Sequence, residues 1–220
     1  LVRPARLTTE AGEMMARVLV ACEYSGTVRD AFTRAGHDAM SCDTLPSDTP
    51  GSHYMGDVRA LLTEPFDLVI PHPPCTYLAT RGVQHLAKSM ALRTTRQRWV
   101  SLDKGAAFFA RMFEFNASRI DVENPVQHHY AIERHGHGKP TQYIDPWQFG
   151  HPESKKTGLW LANLPRLVET NNVYDKMMAL PAKERERIHY MPPSADRQKL
   201  RSKTYSGIAQ AMADQWGPLL

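Results

Sequence analysis

The run Phe66-Asp67-Leu68-Val69-Ile70-Pro71-His72-Pro73-Pro74-Cys75 constrains this chain more than any other. Its apolar first half reads as a strand buried on both faces, the habit of a central strand in a parallel sheet. Proline cannot donate to a ladder, so the strand must break where the prolines gather. A single thiol, Cys75, is thereby set at the carboxyl end of the strand, where open α/β sheets place their chemistry. A second strand-like run, Arg119-Ile120-Asp121-Val122-Glu123-Asn124-Pro125, also ends in polar groups and a proline.

The rest of the chain supplies the partners such strands need. Arg17–Ala21 is a short apolar run, followed by the turn Tyr24-Ser25-Gly26-Thr27 and a predicted helix at 28–35. Strand, glycine turn and helix form the opening unit of a nucleotide-binding sheet. The next strand, 39–43, ends in Asp43, roughly 20 residues beyond the turn, the separation usual for a carboxylate on a ribose hydroxyl pair. A Pro- and Ser-rich loop follows at 44–52, and the segment 53–58 carries Asp57 beside Gly56. Residues 101–115 place Leu102, Ala106, Phe109, Ala110 and Phe113 on one helical face. Residues 128–138 read as a polar, flexible connection. Strands are expected at 143–149 and 158–164, paired as an antiparallel edge hairpin, with helices at 177–188 and 208–216. The predicted fold is α/β, a doubly wound, mostly parallel sheet with that hairpin at its edge. Residues 1–15 are expected to form a tail and 16–220 one domain.

Composition excludes several classes. The longest apolar run is too short to span a bilayer, so no membrane role is expected. Three cysteines without CxxC spacing support neither a disulfide framework nor a zinc site, which points to a reducing cytoplasm. The histidines between His128 and His137 lie in a glycine-containing stretch without cysteine and do not read as a metal centre. A net charge of +4 permits a polyanionic partner without requiring one.

A thiol and a carboxylate at successive strand ends suit attack on a pyrimidine ring, and here the motifs themselves are informative. Pro73-Pro74-Cys75 and Glu123-Asn124-Pro125 resemble the nucleophile and acid motifs of the cytosine carbon-5 methyltransferases. The resemblance implies a Rossmann-like class I domain, S-adenosyl-L-methionine as cofactor, Cys75 as nucleophile and Glu123 as acid. It assigns Tyr24, Ser25, Gly26, Asp43, Asp57 and Pro73 to the cofactor, and Pro74, Asn124, Arg81, Lys155 and Lys156 to the substrate. Gly150-His151-Pro152-Glu153-Ser154-Lys155-Lys156-Thr157 resembles the family's Gly-x-Pro-Gln-x-Arg-x-Arg element, with glutamate for glutamine, lysine for the first arginine and threonine for the second. Val28 stands where the family's opening turn has another glycine. A basic stretch at 76–99, with Arg81, His85, Lys88, Arg93, Arg96 and Arg98, corresponds to the loop that closes over a flipped base and would grip phosphates.

Residues 158–204 hold only short elements, whereas sequence-reading members carry a target-recognition region there. DNA is the expected substrate, read with weak selectivity or through a separate specificity partner, and the compact form resembles homologues carried by phages and prophages. A free cytosine nucleotide is the alternative for the same chemistry. Transfer to an exocyclic amine is disfavoured by His72 before the prolines and Cys75 after them. A non-catalytic DNA or cofactor sensor is the third reading, kept open by Val28 and Thr157.

Overall fold

The computed structural model describes residues 15–80, 83, 92–194 and 196–220, with backbone alone at 92–95. Among the described residues seven strands form one sheet: β1 (Arg17–Ala21), β2 (Asp38–Asp43), β3 (His53–Met55), β4 (Phe66–Pro71), β5 (Ala117–Pro125), β6 (Gln142–Ile144) and β7 (Thr157–Ala162). Their order is β3-β2-β1-β4-β5-β7-β6. The first five pair in parallel, and β7 runs against both its neighbours. The chain is therefore α/β, with a mostly parallel mixed sheet and an antiparallel edge. Every residue of β4 is buried, as expected of a strand covered on both faces; its one polar residue, Asp67, accepts the Arg17 N–H at 2.9 Å.

Two apolar layers cover the sheet. Val18, Val20, Leu68, Ile70 and Leu159 face α1 (Thr27–Arg34) and a late helix at Ser206–Trp216, through Val28, Phe32, Met212 and Trp216. Leu19, Val69, Ile120, Val122 and Trp160 face α2 (Leu92–Arg111) and α3 (His129–His135), through Phe109 and Ala131 and through Met112 just past the end of α2. Full burial of an aliphatic side chain contributes about 1.5–3 kcal/mol, so these two layers are the main source of stability. Strand order reverses between β1 and β4, which opens a crevice at the carboxyl ends of the strands.

Gly26 begins α1 with φ 72°, and a Cβ there would lie 2.1 Å from Thr49 Oγ1. The close neighbour exists because Arg29, 1% exposed, gathers the loop after β2: it donates to Ser41, Ser47, Thr49 and the Pro50 carbonyl. That loop is consequently a built feature, with Asp48 at a fixed place.

Three expectations need correction. Residues 129–135 are helical, since His128 Nδ1 accepts the Tyr130 N–H at the start, Ala131 and His135 bury one face, and Gly136 closes the end at φ 74°. The single helix expected at 177–188 is three: α4 (Tyr174–Ala179), α5 (Ala182–Arg185) and α6 (Arg187–Tyr190). Pro181 forces Leu180 into an extended conformation and ends the first. The strand expected at 143–149 stops at Ile144, because Pro146 opens a 3₁₀ turn in which Gln148 Oε1 accepts the Asp145 N–H at 2.8 Å. A short α7 (Arg197–Ser202) precedes α8 (Ser206–Trp216).

Asp121 of β5 is fully buried, and among the described residues neither of its carboxyl oxygens has a hydrogen-bond partner. Burial, then the nearby Glu123, raise its pKa well above the ordinary carboxylate value. The native state therefore holds the proton more tightly than the unfolded chain does, and it loses stability as pH climbs above the unfolded value of about 4. Asp121→Asn, which cannot ionise, should match the wild type near pH 4 in chemical denaturation. It should gain on the wild type by up to about 1.4 kcal/mol per pH unit above that; a difference independent of pH would show that Asp121 is charged when folded.

Candidate active site

The crevice is a cleft of about 2160 Å³ along the carboxyl edge of the sheet. Three strands deliver its polar floor. β4 ends at Pro71, and His72, Pro73, Pro74 and Cys75 continue into the cleft wall. β5 contributes Glu123 and Asn124. β7 begins at this same edge because it is antiparallel: Pro125 lies opposite Thr157 and Glu123 opposite Leu159, so Lys155 and Lys156 arrive beside the ends of β4 and β5.

The charges of Cys75, Glu123 and Lys155 act on one another. Burial raises the Cys75 thiol pKa above its ordinary value, opposed by the positive charges of Lys155 and Arg201. Burial lowers the Lys155 ammonium, opposed by Glu123 and Cys75. Lys155 is fixed at both ends, its N–H on Asp145 Oδ1 at 3.0 Å and its Nζ on the Lys203 carbonyl at 3.0 Å. Glu123, with a side chain 10% exposed, has Oε2 3.5 Å from His72 Nδ1, and the Thr204 hydroxyl reaches both. His72 is thus turned to the carboxylate, and its Nε2 is buried without a partner among the described residues. Asn124, 1% exposed, donates to the Pro73 carbonyl at 2.8 Å and so ties the end of β5 to the turn carrying Cys75.

At the other end the cleft is lined by Cys22, Tyr24, Asp43, Thr44 and Leu45, where β1 and β2 finish. Asp43 Oδ1 accepts the Leu45 N–H at 2.9 Å. Tyr24 is covered by α7: its hydroxyl bonds the Lys199 carbonyl, and the Lys199 and Lys203 ammonium groups lie 4.9 and 5.9 Å from its ring centre. Those two lysines are anchored on Asp48 at 2.6 and 2.7 Å.

Tyr24, Asp43, Pro73, Pro74, Cys75, Glu123, Asn124, Lys155 and Lys156 therefore share one cleft. Ser25, Gly26 and Asp57 are not among its lining residues. The Ser25 hydroxyl donates to Glu23, and Asp57 is exposed and bonded to Arg59, which pulls its pKa down to about 2. Arg81, His85, Lys88 and the Arg93 side chain lie outside the described residues. Arg96 and Arg98 of α2 do line the cleft, with Lys104 on the same helix and Arg197, Lys199 and Arg201 on α7.

Sequence reasoning missed Glu23, whose carboxylate accepts the Val28 and Arg29 N–H groups at 2.8 and 3.2 Å and caps α1 from before the turn. An acid just ahead of a helix start was a legible cap signal. It also missed Thr204 and Arg201, which reach the floor only through the path of α7. Glu153, the glutamate that stands for glutamine in the Gly150–Thr157 element, accepts from Arg187 at 2.9 Å and Tyr205 at 2.8 Å.

Among the described residues no cluster of His, Cys, Asp and Glu side chains is arranged to hold a metal ion, and no helix is long and apolar enough to cross a membrane. No family model matches the chain, and no curated protein matches it.

Cys75 and Lys155 are linked in a way solution chemistry can read. Lys155→Gln removes a cation that favours the thiolate, so the Cys75 pKa should rise further and its alkylation at neutral pH should slow by about tenfold or more. Iodoacetamide labelling mapped by mass spectrometry across pH measures this. An unchanged pH profile would place the two groups out of electrostatic range.

Proposed function

We propose that this chain transfers a methyl group from S-adenosylmethionine to carbon 5 of cytosine in DNA, with Cys75 as the nucleophile. The observation carrying this reading is the convergence of the Cys75 thiol, the Glu123 carboxylate and the Lys155 ammonium on one cleft. A switch point between β1 and β4, with helices on both faces, is compatible with a Rossmann-like domain.

Carbon 5 of cytosine is a poor nucleophile until carbon 6 carries a covalent bond. The Cys75 thiolate supplies that bond, aided by the positive charges of Lys155 and Arg201. Glu123 holds a proton at ring nitrogen 3 and draws charge from the ring as the adduct forms. His72 and Thr204, both at the Glu123 carboxylate, fix its orientation. Loss of the carbon-5 proton and expulsion of Cys75 end the cycle.

S-adenosylmethionine would supply the methyl group. Tyr24, Asp43 and Leu45 at the ends of β1 and β2 would hold it: a carboxylate for the ribose, beside apolar surface for the base. Asp57 and the Ser25 hydroxyl are committed to Arg59 and Glu23, so the grip is expected to come from Asp43 and the walls around it.

DNA is favoured over a free nucleotide by size and charge. Pockets for small ligands span about 300–1,000 Å³, and this cleft is about 2160 Å³ with basic side chains on both α2 and α7. Phosphate contacts of that kind position a polyanion without reading its sequence.

Incubation with labelled cofactor and either DNA or dCMP tests the reading. DNA should be labelled, and DNA bearing 5-fluorocytosine should leave a stable adduct on Cys75. Cys75→Ser should abolish turnover, and Glu123→Gln should lower it by about 10²–10⁴-fold. Label confined to dCMP would overturn the DNA assignment, and N4-methylcytosine as product would overturn the covalent mechanism.

A further inference from the structure

The histidine-rich stretch after β5 has no part in the chemistry above, yet it is wired to the turn that carries Cys75. Asn124 Nδ2 donates to the Pro73 carbonyl at 2.8 Å, and Gln127 Nε2 donates to Asn124 Oδ1 at 3.2 Å. His135 Nε2 lies 2.8 Å from Gln127 Oε1, and the His137 N–H donates to His135 Nδ1 at 3.1 Å. Asn124, Gln127 and His135 are 1%, 6% and 6% exposed.

The two ends of this relay set its direction. The Pro73 carbonyl can only accept, so the Asn124 amide must turn its NH₂ there and its oxygen toward Gln127. Gln127 must then present NH₂ to Asn124 and oxygen to His135. His135 must carry its proton on Nε2, leaving Nδ1 to accept the His137 N–H. Every member has one allowed orientation, and a fully satisfied buried network of this kind is rigid. Burial and the neighbouring His137 push the His135 pKa down to about 4, which keeps the ring neutral near pH 7. The ring itself is wedged with its centre 4.4 Å from that of Phe109 on α2, and edge-on to Trp160 of β7.

Backbone contacts show what the relay holds. Gln127 bridges to Ala79, His128 N–H donates to the Leu78 carbonyl at 2.9 Å, and Thr80 N–H donates to the Val126 carbonyl at 3.2 Å. The segment leaving Cys75 is thus stitched to residues 126–128, and Pro73 before Cys75 is tied to Asn124. Cys75 sits between two attachments to one short stretch, and Gln127 is the side chain that links them.

We propose that Gln127 and His135 are positioning residues that fix the Cys75 turn against the end of β5, and so set the sulfur's place relative to Glu123. The inference rests on Cys75 being the nucleophile of the proposed reaction. Without Gln127 the Asn124 amide loses its fixed orientation, the Pro73 carbonyl loses an assured donor, and the thiol is free to drift; a displacement near 1 Å costs about 10²-fold in rate.

The test uses the full chain with 5-fluorocytosine DNA, together with hydrogen exchange of the amides at 76–80. Gln127→Leu and His135→Phe should slow adduct formation and turnover by about 10²-fold with KM little changed, and should deprotect 76–80 while β4 keeps its protection. His135→Gln, which offers a donor to Gln127 and an acceptor to His137, should restore most of both readouts. Should Gln127→Leu not fold, Gln127→Glu keeps an acceptor for His135 but turns a carboxylate oxygen on Asn124 Oδ1 in place of the donor, and should give the same losses. Wild-type rates and protection in folded Gln127 and His135 variants would overturn the inference, as would equal losses in His135→Gln and His135→Phe. A wild type that forms no adduct, with 76–80 still deprotected by Gln127→Leu, would instead reject the proposed reaction and leave the positioning role standing.

Discussion

The site depends on the direction of β7. Had that strand run parallel to β5, its first residues would lie at the opposite edge of the sheet, and the cleft would hold a thiol and a carboxylate without a buried cation. Antiparallel pairing, with Pro125 opposite Thr157, places Lys155 at the ends of β4 and β5. Burial pushes the thiol up and the ammonium down, while the attraction between Lys155 and each of Cys75 and Glu123 opposes it. A charged group taken out of water is tolerated where a partner of opposite charge lies close, so Lys155 is what allows a thiolate and a carboxylate to share this edge.

Around that floor several buried polar groups fix the local geometry. Arg29 organises the loop after β2, Glu23 caps α1 from across the turn, and the Asn124–Gln127–His135 relay locks the end of β5. Each ends in backbone donors or acceptors that fix its geometry. The loop set by Arg29 presents Asp48, which anchors Lys199 and Lys203, and the Lys203 carbonyl in turn holds Lys155. A chain of contacts therefore runs from the first helix to the reactive edge.

Most of the sheet was legible in the sequence because its strands are short apolar runs bounded by prolines and acids. Phe66–Pro71 and Arg17–Ala21 could hardly be anything else. The site residues at strand ends followed from the same logic, since parallel strands collect their carboxyl ends on one edge. What was not legible was tertiary. Helix α3 looked like a polar loop because its buried face is only Ala131 and His135, and a buried histidine carries no apolar signature. Pro181 divides the helix expected at 177–188, because the residue before a proline is driven out of the helical region. Thr204 and Arg201 reach the floor through the path of α7, which no local pattern encodes. Asp57 and Ser25 sat at the expected places in sequence, yet Arg59 and Glu23 compete for their side chains, and such neighbours cannot be weighed without the fold.

The most direct measurement is a crystal structure of the protein bound to a cytosine-containing oligonucleotide that carries fluorine at carbon 5. The account requires a bond from Cys75 Sγ to carbon 6, with Glu123 at the polar edge of the same ring and Lys155 beside the junction of the two. A ring seated elsewhere in the cleft, or bonded to Cys75 with Glu123 and Lys155 facing away from it, would contradict it.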